Sequence, residues 1–225
     1  MLNGAIYALQ YDVLNDFEAI SPLAMTPTAL FAKRSIPATD VSELITWLKA
    51  NRSRVTIGVP FLIYRILSTV LQKEAGTQLI FVPYRGSALA RQDLVAGQID
   101  LLFNTLNTLP LAREGSIKAY AVTSEARLAL APELPTFREL GFPGLTMSTW
   151  LAFFAPKATP TDIIGRLNAA VIDTLADQEV RSRLIELGLE VFPRERQTPE
   201  ALGTLVKADA LRTWPIIKAA GIKPE

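Results

Sequence analysis

The run "LIFVPYRGSALARQDLVAGQIDLLFN", residues 79–104, decides the fold class. Its opening "LIFVPY" (79–84) is apolar and short, the pattern of a strand that Pro83 ends. Arg85 and Gly86 turn the chain, and Ser87 stands where a helix N-cap belongs. "SALARQDLVAG" (87–97) then predicts a helix stopped by Gly97, and "IDLLFN" (99–104) a second strand, this one buried. Strand, helix and strand over this length predict a parallel pair with a right-handed crossover.

The pattern repeats outward on both sides. Upstream, "VSELITWLKAN" (41–51) has apolar residues at helical spacing behind Thr39 and Asp40, which can cap its first turn. "RVTIGV" (54–59) is a strand, and "IYRILSTVLQKEAG" (63–76) an amphipathic helix closed by Gly76. Downstream, "LNTLPLAREG" (106–115) predicts a short helix and "IKAYAVTS" (117–124) a further strand. After Ala126 the texture changes. "APELPTFRELGFPGL" (131–145) predicts a Pro- and Gly-rich loop with "TFREL" as a short helix. A long β-like run follows, "TMSTWLAFFAPKATP" (146–160). Helices are predicted over 161–177 and 178–188, with a short strand at "EVF". A terminal helix is predicted over 198–221, which Pro215 either kinks or restarts.

Composition removes much chemistry. With no histidine and no cysteine, a Ser-His-Asp hydrolase, a His-bearing zinc site, a thiolate nucleophile and a disulfide are all impossible. A net charge of +1 offers nothing for a nucleic acid or an anionic membrane surface. No window approaches the length of a transmembrane span. "MLNGAIYALQYDVLNDFE" lacks the pattern of an export signal. No P-loop, GxGxxG or acidic metal motif occurs, so no cofactor, metal or enzymatic activity is expected.

Three strand-to-helix turns remain as candidates. At "VPYRGS" (82–87), the unpaired N–H groups of the following helix form a potential anion cradle at the carboxyl end of the sheet. The same residues equally describe a capped turn that binds nothing. "GVPFLIYR" (58–65) is apolar and suits packing, or the wall of a pocket. "FNTLNT" (103–108) gathers Asn104, Thr105, Asn107 and Thr108, which serve equally as turn formers and as neutral hydrogen-bonders for a polar ligand. Asp93 and Asp100 read as surface or structural groups.

Several long segments together resemble one family. "FVPYRGSALARQDLVAGQIDLLF", "GSIKAYAVTSEARLALAPELPTFRELGFPGL", "TWLAFFAPKATPTDIIGRLNAAV" and "WPIIKAAGIKPE" are similar to the Bug/TctC-type substrate-binding receptors of tripartite tricarboxylate transporters. The resemblance runs in register over essentially the whole chain. It implies an α/β, type II periplasmic-binding-protein-like fold, with two α/β lobes joined by crossing strands. Residues 29–147 would form the complete middle lobe. Residues 1–28 with 149–225 would form the rest of the other, incomplete lobe, lacking its N-terminal strands and helices. "ALFAKR" and "TMSTWLAFF" would be the crossings.

The implied function is capture of a small carboxylate in an interlobe cleft and delivery to membrane permease subunits. The implied ligand-binding residues are Gly58, Tyr84, Arg85, Gly86, Ser87, Asn104, Thr105, Asn107 and Thr149. The implied location of the intact parent is the periplasm. Three departures accompany the resemblance. Met1 falls inside the first lobe, so the loop that supplies much of the carboxylate grip is expected to be missing and binding impaired. "GVPFLIYR" replaces a small polar turn, with Arg65 where the family has a His. Asn104-Thr105 stands where an acid is usual, which predicts weaker preference for amino acids. The alternative is an intracellular ligand sensor or interaction protein that reuses the fold.

Overall fold

The computed structural model describes residues 2–219 and 221. Ala220 and the last four residues of "WPIIKAAGIKPE" therefore lie outside the described residues, as does Met1. The chain divides into two compact units, Pro27–Ser148 and a discontinuous one made of Met1–Thr26 with Thr149–Glu225.

The Pro27–Ser148 unit is built on a five-stranded sheet. In chain order its elements are β2 (Thr28–Lys33), α1 (Val41–Ala50), β3 (Thr56–Val59), α2 (Leu62–Glu74), β4 (Ile80–Pro83), α3 (Ser87–Val95), β5 (Leu101–Thr105), α4 (Leu109–Arg113) and β6 (Ile117–Val122). The strands lie in the order β4-β3-β5-β2-β6. β3 is parallel to both β4 and β5, as the strand-helix-strand pattern predicts. β2, expected only as a crossing between lobes, is a strand of this sheet and runs antiparallel to β5 on one side and β6 on the other. The right-handed crossover rule links strands joined through a helix in the same direction; it does not fix the first strand. β2 starts at the sheet's carboxyl edge and runs backward, so Thr28 pairs with Thr105.

Burial explains why the central strands β2 and β5 read as unbroken apolar runs, whereas the edge strand β4 is apolar yet exposed at Ile80 and Pro83. Ala29 to Ala32 on β2 and Leu101 to Phe103 on β5 are all fully buried. A strand covered on both faces loses the apolar-polar alternation of a half-exposed one. On one face, Ala90 and Leu94 of α3 pack with Phe31 and Leu102. Full burial of a Phe or Leu side chain contributes about 1.5–3 kcal/mol each. α1 begins as its sequence predicts: the Asp40 carboxylate accepts from the Glu43 N–H at 2.8 Å. Glu43 in turn accepts from the Thr39 N–H at 2.7 Å and from its hydroxyl at 2.8 Å. Such reciprocal caps satisfy first-turn donors and are worth about 1 kcal/mol.

At the amino edge of the sheet, Asp100 ties three strands together. One carboxylate oxygen lies 2.6 Å from the Lys33 ammonium of β2. The other accepts from the Thr56 N–H of β3 at 2.7 Å and from the Thr56 hydroxyl at 2.8 Å. Burial would raise the Asp100 carboxyl, but the Lys33 and Thr56 donors outweigh it and hold it below its ordinary value of 3.8. A carboxyl depressed by folding adds stability that is complete above that ordinary value and fades as pH falls through the lowered one. Asp100→Asn is therefore expected to be less stable than wild type at neutral pH. The difference should shrink as urea unfolding is repeated at progressively lower pH below 3.8. A gap that stays constant with pH would show that this carboxylate does not carry the acid sensitivity.

The expected helix at "TFREL" is not formed. Thr136 bridges to Val122 as an extra parallel pair, the Phe137 N–H donates to the Val122 carbonyl at 3.0 Å, and the next residues turn. The backbone is satisfied by the edge of β6, so the local helical preference of Phe-Arg-Glu-Leu is overridden.

The other unit carries a three-stranded antiparallel sheet in the order β7-β1-β8. Its elements are β1 (Phe17–Thr26), β7 (Thr149–Pro156), α5 (Thr161–Ala176), α6 (Gln178–Glu186), β8 (Glu190–Val191) and α7 (Pro199–Ala219). Helix α7 runs through Pro215 without a break. The missing Pro215 N–H would have met the carbonyl of Leu211, four residues back. Leu211 is 79% exposed, so the carbonyl that loses its partner belongs to the solvent-facing side of the helix.

Candidate functional site

The carboxyl edge of the five-stranded sheet collects the sequence candidates of the Pro27–Ser148 unit. β3, β4 and β5 end there, and β2 begins there. Helices α2 and α3 also start at this edge. Neither has a side-chain cap: the N-cap of α2 is Phe61 and that of α3 is Gly86. Their first-turn N–H groups are the donors that such a helix end presents to an anion.

Ser87 is thus not the N-cap that its sequence context predicts; it is the first helical residue of α3. Its hydroxyl lies beside the phenol of Tyr64, together with that of Thr28. Burial raises the Tyr64 phenol, and the neighbouring Ser87 and Thr28 hydroxyls oppose the rise. Gly86 has φ 170, an extended conformation open to any residue. A Cβ built there would meet nothing within 4 Å. Neither strain nor packing inside the protein requires a glycine at this position, which leaves bare backbone next to the helix end.

Two candidates are occupied by the fold itself. The Tyr84 hydroxyl donates to the Asp93 carboxylate at 2.7 Å, pinning the turn to the second turn of α3. Partial burial and then that carboxylate push the phenol up to about 12. Gly58 lies in the core of β3: a Cβ there would come within 2.8 Å of Ile99 Cδ1 and 3.1 Å of Leu102 Cδ1. The close approach of β5 accounts for its missing side chain. Arg85 is exposed beside the turn.

At the end of β5 the polar cluster largely satisfies itself. Asn107 accepts at one oxygen from the Thr105 hydroxyl at 2.8 Å, and from Thr108 and Arg91 at 3.4 Å each. The Asn104 carbonyl oxygen accepts from the Thr105 N–H at 2.9 Å. The Asn104 amide nitrogen, fully buried, has no partner. A buried donor left in this state is costly, by about 1–3 kcal/mol, so it marks a place where an acceptor is wanted. Thr149 opens β7 in the other unit, opposite Thr26 in the sheet register. Among the described residues, no group of three or more acidic side chains is placed to hold a metal, and no helix is long and apolar enough to cross a membrane.

Tyr64 and Thr28 were not among the sequence candidates. Tyr64 reads as one more apolar residue on the buried face of α2. Thr28 reaches the edge only because β2 runs antiparallel, which the sequence pattern does not encode.

Comparison with known proteins adds an independent line. The model of the tripartite tricarboxylate transporter family receptor matches residues 5–222. A UPF0065 protein of Agrobacterium vitis is 32% identical over 222 residues, covering 97% of this chain and 64% of that protein. This chain thus spans less than two thirds of that relative's length. Among solved structures, the periplasmic binding protein BugD is 30% identical with a TM-score of 0.82, covering 98% of this chain and 75% of BugD. MatC from Rhodopseudomonas palustris, solved with bound malate, is 30% identical with a TM-score of 0.81, covering 96% of this chain and 74% of MatC.

Proposed function

The chain belongs to the tripartite tricarboxylate transporter receptor family, and from that premise we propose that it serves as a solute-binding receptor for a small carboxylate. Malate, the ligand of MatC, is a dicarboxylate of the size intended. The observation that carries the reading is the unpartnered, buried Asn104 amide at the edge where two uncapped helices begin. A carboxylate oxygen is the acceptor such donors lack. The proposed contacts are the backbone of Arg85, Gly86 and Ser87, the hydroxyls of Ser87, Tyr64 and Thr28, and the Asn104 amide. Thr105 and Asn107 hold the turn that presents it, and Tyr84 holds the α3 start. Asn104 is neutral, which disfavours a ligand ammonium and fits a plain carboxylate better than an amino acid.

The proposed grip of this chain alone is weak, because Tyr84, Thr105 and Asn107 spend their side chains on each other and on Asp93. We assign the working location to the periplasm, and delivery to permease subunits of the transporter. The test is titration of the chain with malate and a panel of di- and tricarboxylates, followed by amide NMR shifts. Saturation is expected in the high micromolar range or weaker, with shifts confined to the 28, 64, 85–87 and 104–107 positions. Shifts elsewhere, or none at millimolar malate, would reject the site. Tight binding would reject the weak grip.

A further inference from the structure

Phe61 breaks two local rules at one point. It is the N-cap of α2, with an extended backbone (φ -146, ψ 158) and no side-chain hydrogen bond to the first turn. Ser, Thr, Asn and Asp are the residues that suit such a position, because their side-chain oxygens satisfy a first-turn N–H. Phe61 is also 54% exposed, although Val59 and Pro60 before it and Tyr64 after it are buried. A polar side chain here would cap the helix and meet water freely. Residues that break local rules without a compensating gain inside the fold mark functional positions.

The position lies within the carboxyl edge that holds the site. β3 runs between β4 and β5, with Gly58 level with Val82 on one side and Leu102 on the other. Phe61, just beyond the end of β3, therefore stands between the turn at 84–87 and Asn104, with neighbouring strands about 4.8 Å apart. The Phe61 ring is 6.0 Å from that of Tyr64, the planes tilted by 49°. The Tyr64 hydroxyl is the one beside Ser87 and Thr28. An aromatic wall thus adjoins the hydroxyl cluster, and the fully buried, unpartnered Asn104 amide nitrogen stands across the end of β3.

We infer that Phe61 is a specificity-determining residue that selects an aromatic monocarboxylate, its carboxylate on the polar groups and its ring on the exposed face of Phe61. The inference rests on the receptor reading above and names the kind of small carboxylate that reading leaves open. Aromatic pairs gain from offset or edge contact at the spacing the Phe61–Tyr64 pair already shows, so a third ring is favoured over a saturated one. A hydroxylated dicarboxylate such as malate would bring polar groups against the ring instead.

The experiment titrates the full chain with benzoate, cyclohexanecarboxylate and malate, followed by amide NMR. In wild type, benzoate should bind about two- to tenfold more tightly than cyclohexanecarboxylate. It should also bind at least about threefold more tightly than malate, with shifts at 61 added to those at 64, 85–87 and 104. In Phe61→Ala both preferences should vanish. In Phe61→Leu the preference over malate should remain, while that for benzoate over cyclohexanecarboxylate is lost. The leucine chain separates the ring from apolarity alone, and it carries the test if the alanine chain loses its fold. Equal binding of benzoate and cyclohexanecarboxylate by wild type, or preferences unchanged in the variants, overturns the inference. Malate shifts at the Asn104 edge without benzoate binding sink the aromatic selection and keep the receptor. No shift there with any of the three sinks the receptor reading itself.

Discussion

Phe103→Ala is expected to cost about 3–5 kcal/mol, the range for a large aromatic removed from a tight core. Phe103 sits on β5, the middle strand of five, and is fully buried. Its ring meets that of Phe137 at 6.2 Å between centroids with the planes tilted by 52°. That contact joins the sheet to the turn at 137–141, which has no helix of its own to support it. Truncation leaves a cavity between two parts of the fold that cannot both relax toward it. Urea unfolding followed by fluorescence and circular dichroism would read the loss directly. A cost below about 1 kcal/mol would mean that the 131–145 loop collapses into the space and that the aromatic pair is not structural.

Gly58→Val should have the next largest effect, about 1–3 kcal/mol, through overpacking. The new Cβ alone would lie 2.8 Å from Ile99 Cδ1 and 3.1 Å from Leu102 Cδ1, and the γ-methyl groups reach further. The strain falls on β5 and on α3, where Ala90 stands 3.5 Å from the same point. Accelerated hydrogen exchange in α3 should therefore accompany the lower unfolding midpoint. Unchanged stability with loss of carboxylate binding alone would return Gly58 to the ligand site and contradict its packing role.

These two residues show where sequence reading succeeds and where it stops. Phe103 lies in "IDLLFN", an apolar run whose strand character and burial follow from composition and length alone. Gly58 is equally visible as a glycine at a strand end, yet which neighbour demands it depends on the approach of β5, more than 40 residues on. The same limit explains the site. The helix starts at 62 and 87 are local events and are legible to within a residue. The meeting of Thr28, Tyr64 and Ser87 depends on the direction of β2, and no periodicity records a strand's direction. The tie between Tyr84 and Asp93 is not legible because the two are nine residues apart, and Asp93 reads as a surface or structural group. The loss of the "TFREL" helix has the same origin: a backbone edge contributed by β6 outcompetes a local preference.

The nesting of one unit inside the other also governs how the chain is made. β1 leaves the ribosome before any residue of β2, yet its partner β7 follows only after the entire Pro27–Ser148 stretch. Within that stretch β2 must likewise wait for β5 and β6, because its neighbours on both sides are later in the chain. β1 and β2 thus both emerge with their hydrogen-bonding edges unclaimed, the state most open to wrong pairings. Folding of the inner unit brings the two ends of the long insertion together and shortens the loop that the outer unit must close. The expected order of assembly is therefore inside first and outside last. Conditions that slow the inner fold should leave β1 as the segment that holdase chaperones find.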